Sequence, residues 1–422
     1  MKRWSWTLCA VLFAGACTQD SPTEAGSGLL PPDAIRTFEF VLGPERYLQW
    51  DTAFGLYSAT ADADYTLIAN DYEGVLNSRV LLRYPIPRTI TVLDTLGVLR
   101  TDSMPVYFAG DVRVLVDTLA STDPPATLEL YRPTEDWDRL TATWQFRVDS
   151  AGAQLPWAQP GGSPGTLIGS TTWAQGDTVL IPVDSATIAA WADTAMAVRG
   201  AVLGTSTPGT RIRSVLPTLR LRARSTINPD TVVEFTLAPG RTFIYEPQQP
   251  DSVGTPRVGG TPAWRTVMRL RERLDTVTVA CPGVPNCTLR LGDVSINYGA
   301  LLLQPVPSPA GFAPELPLNL TLHAVLPSPL LPLTRSPVTG ALGGIEASVP
   351  VSSFMAPGAP VVELAATEFM RLLFTPGEDD DFTPEYVALL PAGSTRTFGF
   401  GTFAEMPSLR IIVTISRELQ LP

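Results

Sequence analysis

The 41 prolines in this 422-residue chain are spread so widely that long helices are ruled out, because proline breaks a helix interior. Between these breaks, apolar and polar residues alternate in short runs. Examples are Phe38-Glu39-Phe40-Val41-Leu42, Val80-Leu81-Leu82-Arg83-Tyr84, Val112-Arg113-Val114-Leu115-Val116 and Thr127-Leu128-Glu129-Leu130-Tyr131. A period of two is the signature of a strand with one buried face, and turn residues between such runs join many strands into sheets. Proline suits the edges and loops of those sheets. Helical spacing is confined to two short stretches, Ser185 to Arg199 and Val361 to Leu373. The pattern predicts an all-β fold.

The runs also recur. Phe38-Glu39-Phe40-Val41-Leu42-Gly43-Pro44 is answered by Val233-Glu234-Phe235-Thr236-Leu237-Ala238-Pro239. Arg79 to Arg83 is answered by Thr266 to Leu270, Ala126 to Leu130 by Ala300 to Gln304, and Pro217 to Leu221 by Pro407 to Ile411. Similar segments in the same order are the mark of an internal repeat. The expectation is two tandem domains, at 36–226 and 231–418.

The N-terminus carries an address. Lys2 and Arg3 precede an apolar run, Leu8 to Phe13, and then Ala14-Gly15-Ala16-Cys17. Charged, apolar and small-residue parts in this order make a secretory signal, and one too short to span a bilayer. The cysteine sits where a bacterial lipobox places it, so the segment resembles a lipoprotein signal peptide. The resemblance implies removal of 1–16 and acylation of Cys17, with 17–35 as a flexible tether reaching roughly 25 Å from the lipid bilayer. Thr18 after the cysteine leans toward the outer membrane.

Losing Lys2 and Arg3 takes the formal charge from −11 to −13 and removes the only lysine. An acidic chain argues against nucleic acid as a partner, and a mature chain without lysine has no Schiff base or P-loop lysine. Cys281 and Cys287, in Cys281-Pro-Gly-Val-Pro-Asn-Cys287, are expected to form a disulfide in an oxidising compartment. A metal pair is the weaker alternative, because His323 is the single histidine.

Several segments of the first repeat occur together in a telling order. They are Val80 to Tyr84, Ala126 to Leu130, the paired tryptophans of Trp137-Asp138-Arg139-Leu140-Thr141-Ala142-Thr143-Trp144, Ile181-Pro182-Val183-Asp184 with Trp191 beyond, and Pro217 to Leu221. This resembles the DNRLRE-type domain, a jelly-roll-like β-sandwich related to carbohydrate-binding modules and found in secreted bacterial proteins. In the second repeat Asn319 to Leu333 replaces the tryptophan segment. The resemblance implies two tandem jelly-roll-like antiparallel β-sandwiches, with polysaccharide as the ligand class.

Catalytic patterns are thin. Gly161-Gly162-Ser163-Pro164-Gly165 matches the nucleophile elbow as a string but lacks the strand before it and the helix after it. His323 falls on the solvent side of a strand. Carboxylate pairs such as Glu135 with Asp138, or Asp379 with Asp380, are expected by chance in so acidic a chain, although a glycoside hydrolase also needs a pair. Glu378, Asp379, Asp380 and Asp381 offer hard oxygen ligands for a structural calcium ion, the alternative being a solvated acidic loop. No other cofactor is implied.

Sugar recognition favours exposed aromatic platforms. Trp137, Trp144 and Trp191 belong to segments expected in the core, which leaves Trp157 and Trp173, among prolines and glycines, as expected surface residues for a glycan. The reading is a lipid-anchored, non-catalytic envelope protein that binds polysaccharide through a sandwich face. The alternatives are a structural or adhesive envelope protein without a small ligand and, less favoured, a carboxylate-dependent glycan-degrading enzyme.

Overall fold

The computed structural model describes residues 35–55, 59–150, 152–193, 198–261, 263–271, 276–281, 284–342, 346–374, 384–392 and 397–416. Cys17 and the acidic run Glu378 to Asp381 lie outside these. Two strands come first, β1 (Ile35–Leu42) and β2 (Leu48–Phe54), joined by the one-turn helix α1 (Pro44–Tyr47).

A second stretch holds β3 (Thr66–Tyr72), β4 (Leu76–Arg83), β5 (Ile90–Leu93), β6 (Leu99–Asp102), β7 (Val106–Leu115) and β8 (Ala126–Pro133). It continues through β9 (Phe146–Ser150), β10 (Ala153–Pro156), β11 (Pro164–Trp173), β12 (Thr178–Val183) and the helix α2 (Ser185–Ala192). It closes with β13 (Ala201–Thr205), β14 (Thr210–Ser214), β15 (Thr218–Arg224), β16 (Val232–Leu237) and β17 (Gly240–Glu246).

The last stretch begins with β18 (Arg257–Gly259), β19 (Arg265–Leu270), β20 (Thr276–Cys281), β21 (Val284–Arg290), β22 (Ser295–Leu303) and β23 (Pro305–Val306). After β24 (Leu318–Val325), β25 (Val338–Ala341), β26 (Ala347–Val349) and β27 (Val362–Ala365) comes the helix α3 (Thr367–Phe374). The chain then forms β28 (Tyr386–Pro391), β29 (Phe400–Phe403) and β30 (Ser408–Ser416). Of the expected second helix, Val362 to Ala365 is instead a strand on the edge of β22, where the backbone finds ladder partners.

The sheets are antiparallel, and they define two sandwiches. In one, the sheet β11-β8-β13-β4-β3-β14, with β17 also beside β4, faces the sheet β12-β7-β15-β16. In the other, β1-β30-β22-β27 faces β2-β19-β28-β24-β25, with β26 beside β24. The host encloses one apolar cluster, and the cluster inside the inserted sandwich runs on into Ala53, Trp264, Phe312, Phe398 and Phe400 of the host.

These pairings move the domain boundaries away from 36–226 and 231–418. One sandwich is built from 59–246 without a break, and it is inserted between β2 and β18 of a host made of 35–54 and 257–416. Three of the four matched segments are nonetheless equivalent and the fourth is not: Ala126 to Leu130 lies on β8 between β11 and β13, whereas Ala300 to Leu303 lies on β22 between β30 and β27, the place that β7 takes between β15 and β12. Leu42 of β1 faces Leu409 of β30, and the matching Leu237 of β16 faces Leu219 of β15. The host therefore has at its start the two strands that the inserted sandwich has at its end, and the two are circular permutants.

An aromatic seam joins them. Phe243 and Tyr245 of β17 meet Phe398, with ring centroids 6.2 and 5.5 Å away, and Phe312 lies 5.7 Å from Phe398. Gly399, at φ 82°, passes so close to the Phe312 carbonyl that a Cβ would sit 2.4 Å from its oxygen. Beside the rings, the buried Glu315 carboxylate lies 3.0 Å from Arg213 and 3.7 Å from Arg211. Burial pushes the Glu315 carboxyl up, against the pull of the two arginines.

Candidate functional site

Both tryptophans expected at the surface are buried. Trp157 is 4% exposed and its indole N–H donates to the Thr143 carbonyl; Trp173 is 3% exposed and donates to the Gly176 carbonyl. Proline and glycine neighbours mark turns, and a turn can still be packed under other turns.

Trp157 belongs to a cap. The segment 133–163 folds over the outer face of the large inserted sheet, where Leu81, Val202 and Ile244 point away from the sandwich core and are covered by Trp137, Ala142, Trp144 and Trp157. Arg79 and Arg83, alternating with Leu81 on β4, stack on Trp144 and Trp137 at 5.3 and 4.9 Å. Arg79 also donates to the Gly161 carbonyl at 2.8 Å. Arg83 also pairs with Asp136 and donates to the Trp137 carbonyl at 3.2 Å, so cation and ring contacts tie the lining to the sheet.

The cap accounts for the catalytic look-alikes. Ser163 is 1% exposed, and its hydroxyl donates to Glu135 at 2.6 Å. Burial raises the Glu135 carboxyl, but the bonds from Ser163 and the Ala158 N–H outweigh it and hold it below the usual range. Asp138 accepts from the Leu140 and Thr141 N–H groups and closes a turn. His323 belongs to the host sandwich, against the Thr339 carbonyl at 2.7 Å and the Thr321 hydroxyl at 3.1 Å. Ser163 and Glu135 are thus bonded to each other within the cap, while His323 stands on β24 of the other sandwich.

Cys281 and Cys287 lie on the two strands of the β20–β21 hairpin, where Cys281 is the register partner of Val284 and Cys287 of Val279. Their side chains fall outside the described ones. Among the described residues no three His, Cys, Asp or Glu side chains gather for a metal ion, and no helix is long and apolar enough to cross a membrane.

Exposed aromatic surface is found on the host. Of the seven described tryptophans six are buried, whereas Trp50 on β2 is 37% exposed. Its ring centroid is 6.0 Å from that of Phe54, two strand positions further on the same face. Across the sheet, Trp50 is in register with Arg269 of β19, and Arg269 with Tyr386 of β28. The Arg269 guanidinium sits 5.7 Å from the Tyr386 ring and 2.7 Å from a Glu385 oxygen. The result is a strip of two half-open rings, a third ring and an ion pair across three strands.

The host's own cap is small. Arg265, 3% exposed, donates to the Ser336 and Leu333 carbonyls, and Leu333 covers the patch of Val267, Val325 and Ala388 on which Phe54 also packs. Leucine here, where the inserted sandwich has three tryptophans, leaves the strip open. Elsewhere, a cleft of about 480 Å³ is lined by Thr60, Asp62, Asp149 and Gln248 and, from the host, by Arg335. Hydroxyl, carboxylate, amide and guanidinium groups at a domain junction are suited to a polyhydroxylated ligand. Sequence order had assigned Trp50 to the first repeat; the permuted pairing carries it to the second sandwich.

No family model, curated protein or solved structure matches this chain.

Proposed function

We propose that this is a lipid-anchored, non-catalytic envelope protein that binds polysaccharide, with the Trp50, Phe54 and Tyr386 strip of the host sandwich as its platform. The observation that carries this reading is that Trp50, alone among the described tryptophans, presents its ring to solvent, beside a second ring and an ion pair on one flat sheet face. An indole of this kind stacks on the apolar face of a pyranose, and Arg269 and Glu385 bond its hydroxyls. Lipidation at Cys17 would hold the molecule at the membrane, and a resemblance to carbohydrate-binding modules supports the ligand class.

Affinity electrophoresis through gels containing neutral glucans, xylans or mannans tests it. The wild-type protein should be retarded by at least one of them. Trp50→Ala should weaken that binding about tenfold, equivalent to roughly 1.4 kcal/mol, with the melting temperature unchanged. Equal retardation of the two proteins would refute the platform; no retardation in any gel favours a structural role in the envelope.

A further inference from the structure

We infer that the outer face of the β12-β7-β15-β16 sheet, on the inserted sandwich, binds an acidic polysaccharide, with Arg222 and Arg224 as a pair of anion ligands. On β15, Leu219, Leu221 and Ala223 are fully buried, so the alternate residues Arg220, Arg222 and Arg224 stand on the solvent side. The register places Arg113 of β7 on that same face. Four arginines there meet two carboxylates, Asp111 and Glu234, within a chain whose formal charge is −11.

Asp111 is committed to Arg220, at 2.9 Å. Arg222 and Arg224 are different: among the described residues neither has an ion pair, and their guanidiniums lie 5.8 and 5.4 Å from the one ring of Phe108. Stacking on a ring fixes the plane of a guanidinium and leaves its N–H fork free for a carboxylate or phosphate. Side chains two apart on a strand recur every ~6.6 Å, a spacing that fits successive charged groups of an extended polymer and not one small anion. Phe108, 37% exposed, and the flanking Val106 and Val232 supply an apolar shelf for sugar rings. Charge and shelf together favour an acidic polysaccharide over a simple phosphate.

This surface is independent of the Trp50 platform, and the test keeps them apart. The full-length protein in detergent is titrated against polygalacturonate, against neutral dextran of matched length and against phosphatidylglycerol vesicles. We expect binding to polygalacturonate that weakens steeply with salt, and no binding to dextran at this face. In the Arg222→Gln, Arg224→Gln double variant the affinity should fall at least tenfold and the salt slope by about 1.4 to 1.8, near 0.7–0.9 per lost phosphate-type contact. The Arg371→Gln variant, which removes an exposed arginine of α3 on the host, should bind polygalacturonate normally. Absence of polygalacturonate binding in the wild type, equal binding by the double variant, or arginine-dependent binding to the vesicles in place of the polymer would each overturn the inference.

Discussion

Replacing Phe398 with alanine should separate two units that otherwise unfold together. The ring is fully buried and belongs to the host, yet it packs against Phe243 and Tyr245 of the inserted sandwich as well as Phe312. Removing a buried phenylalanine costs about 3–5 kcal/mol, through lost transfer energy and the cavity left behind. Here the upper half of that range is expected, because three aromatic neighbours lose a partner and backbone beside Gly399, already in close contact, cannot collapse inward. Against a typical domain stability of about 5–15 kcal/mol this is a large fraction. For one sandwich unfolding as a unit, at about 2–4 °C per kcal/mol, it corresponds to a melting temperature roughly 8–20 °C lower.

The loss falls on the seam, so urea unfolding followed by tryptophan fluorescence should change from one transition to two. The inserted sandwich reports through Trp137, Trp144, Trp157, Trp173 and Trp191. Met370→Ala is the control: Met370 is as buried but lies in the host core on α3, so it should weaken the host without splitting the transition. A single transition in Phe398→Ala, with a cost below about 1 kcal/mol, would show that the seam does not couple the sandwiches.

Two further outcomes follow from the chain's organisation. Expressed alone, 59–246 should fold and protect its amides, whereas 36–226 should not, because it lacks β17 and carries β1 and β2 without their partners; equal protection in both fragments would refute the inserted arrangement. Cys17→Ala should leave the protein unlipidated and move it from the membrane to the soluble fraction, and its retention in the membrane would count against the anchor.

Period-two alternation was enough to identify most strands, because burial of one face writes itself into neighbouring residues. It could not reveal which strands pair. A permuted pair of sandwiches and a tandem pair present the same segments in the same order, and only the register of β1 on β30 tells them apart. Covered outer faces left a fainter trace. Val80-Leu81-Leu82 breaks strict alternation, and Leu81 is the residue that lies under the tryptophan cap. That lapse signals a second layer, and it could have shown that the tryptophans of 133–163 were inside. Trp50 was invisible as a platform, since its exposure depends on the host's cap being short.

Ile35 and Ser416 are register partners at the end of an eight-residue ladder that fixes β1 along its whole length. A pull arriving through the segment before Ile35, directed along the strand, loads the backbone bonds of that ladder together and not one after another. The force then enters the host sandwich directly, through the strand that also receives the other end of the chain. The inserted sandwich stands outside this load path. With Trp50 on β2 of that same host, a ligand gripped there would draw the load through the host alone.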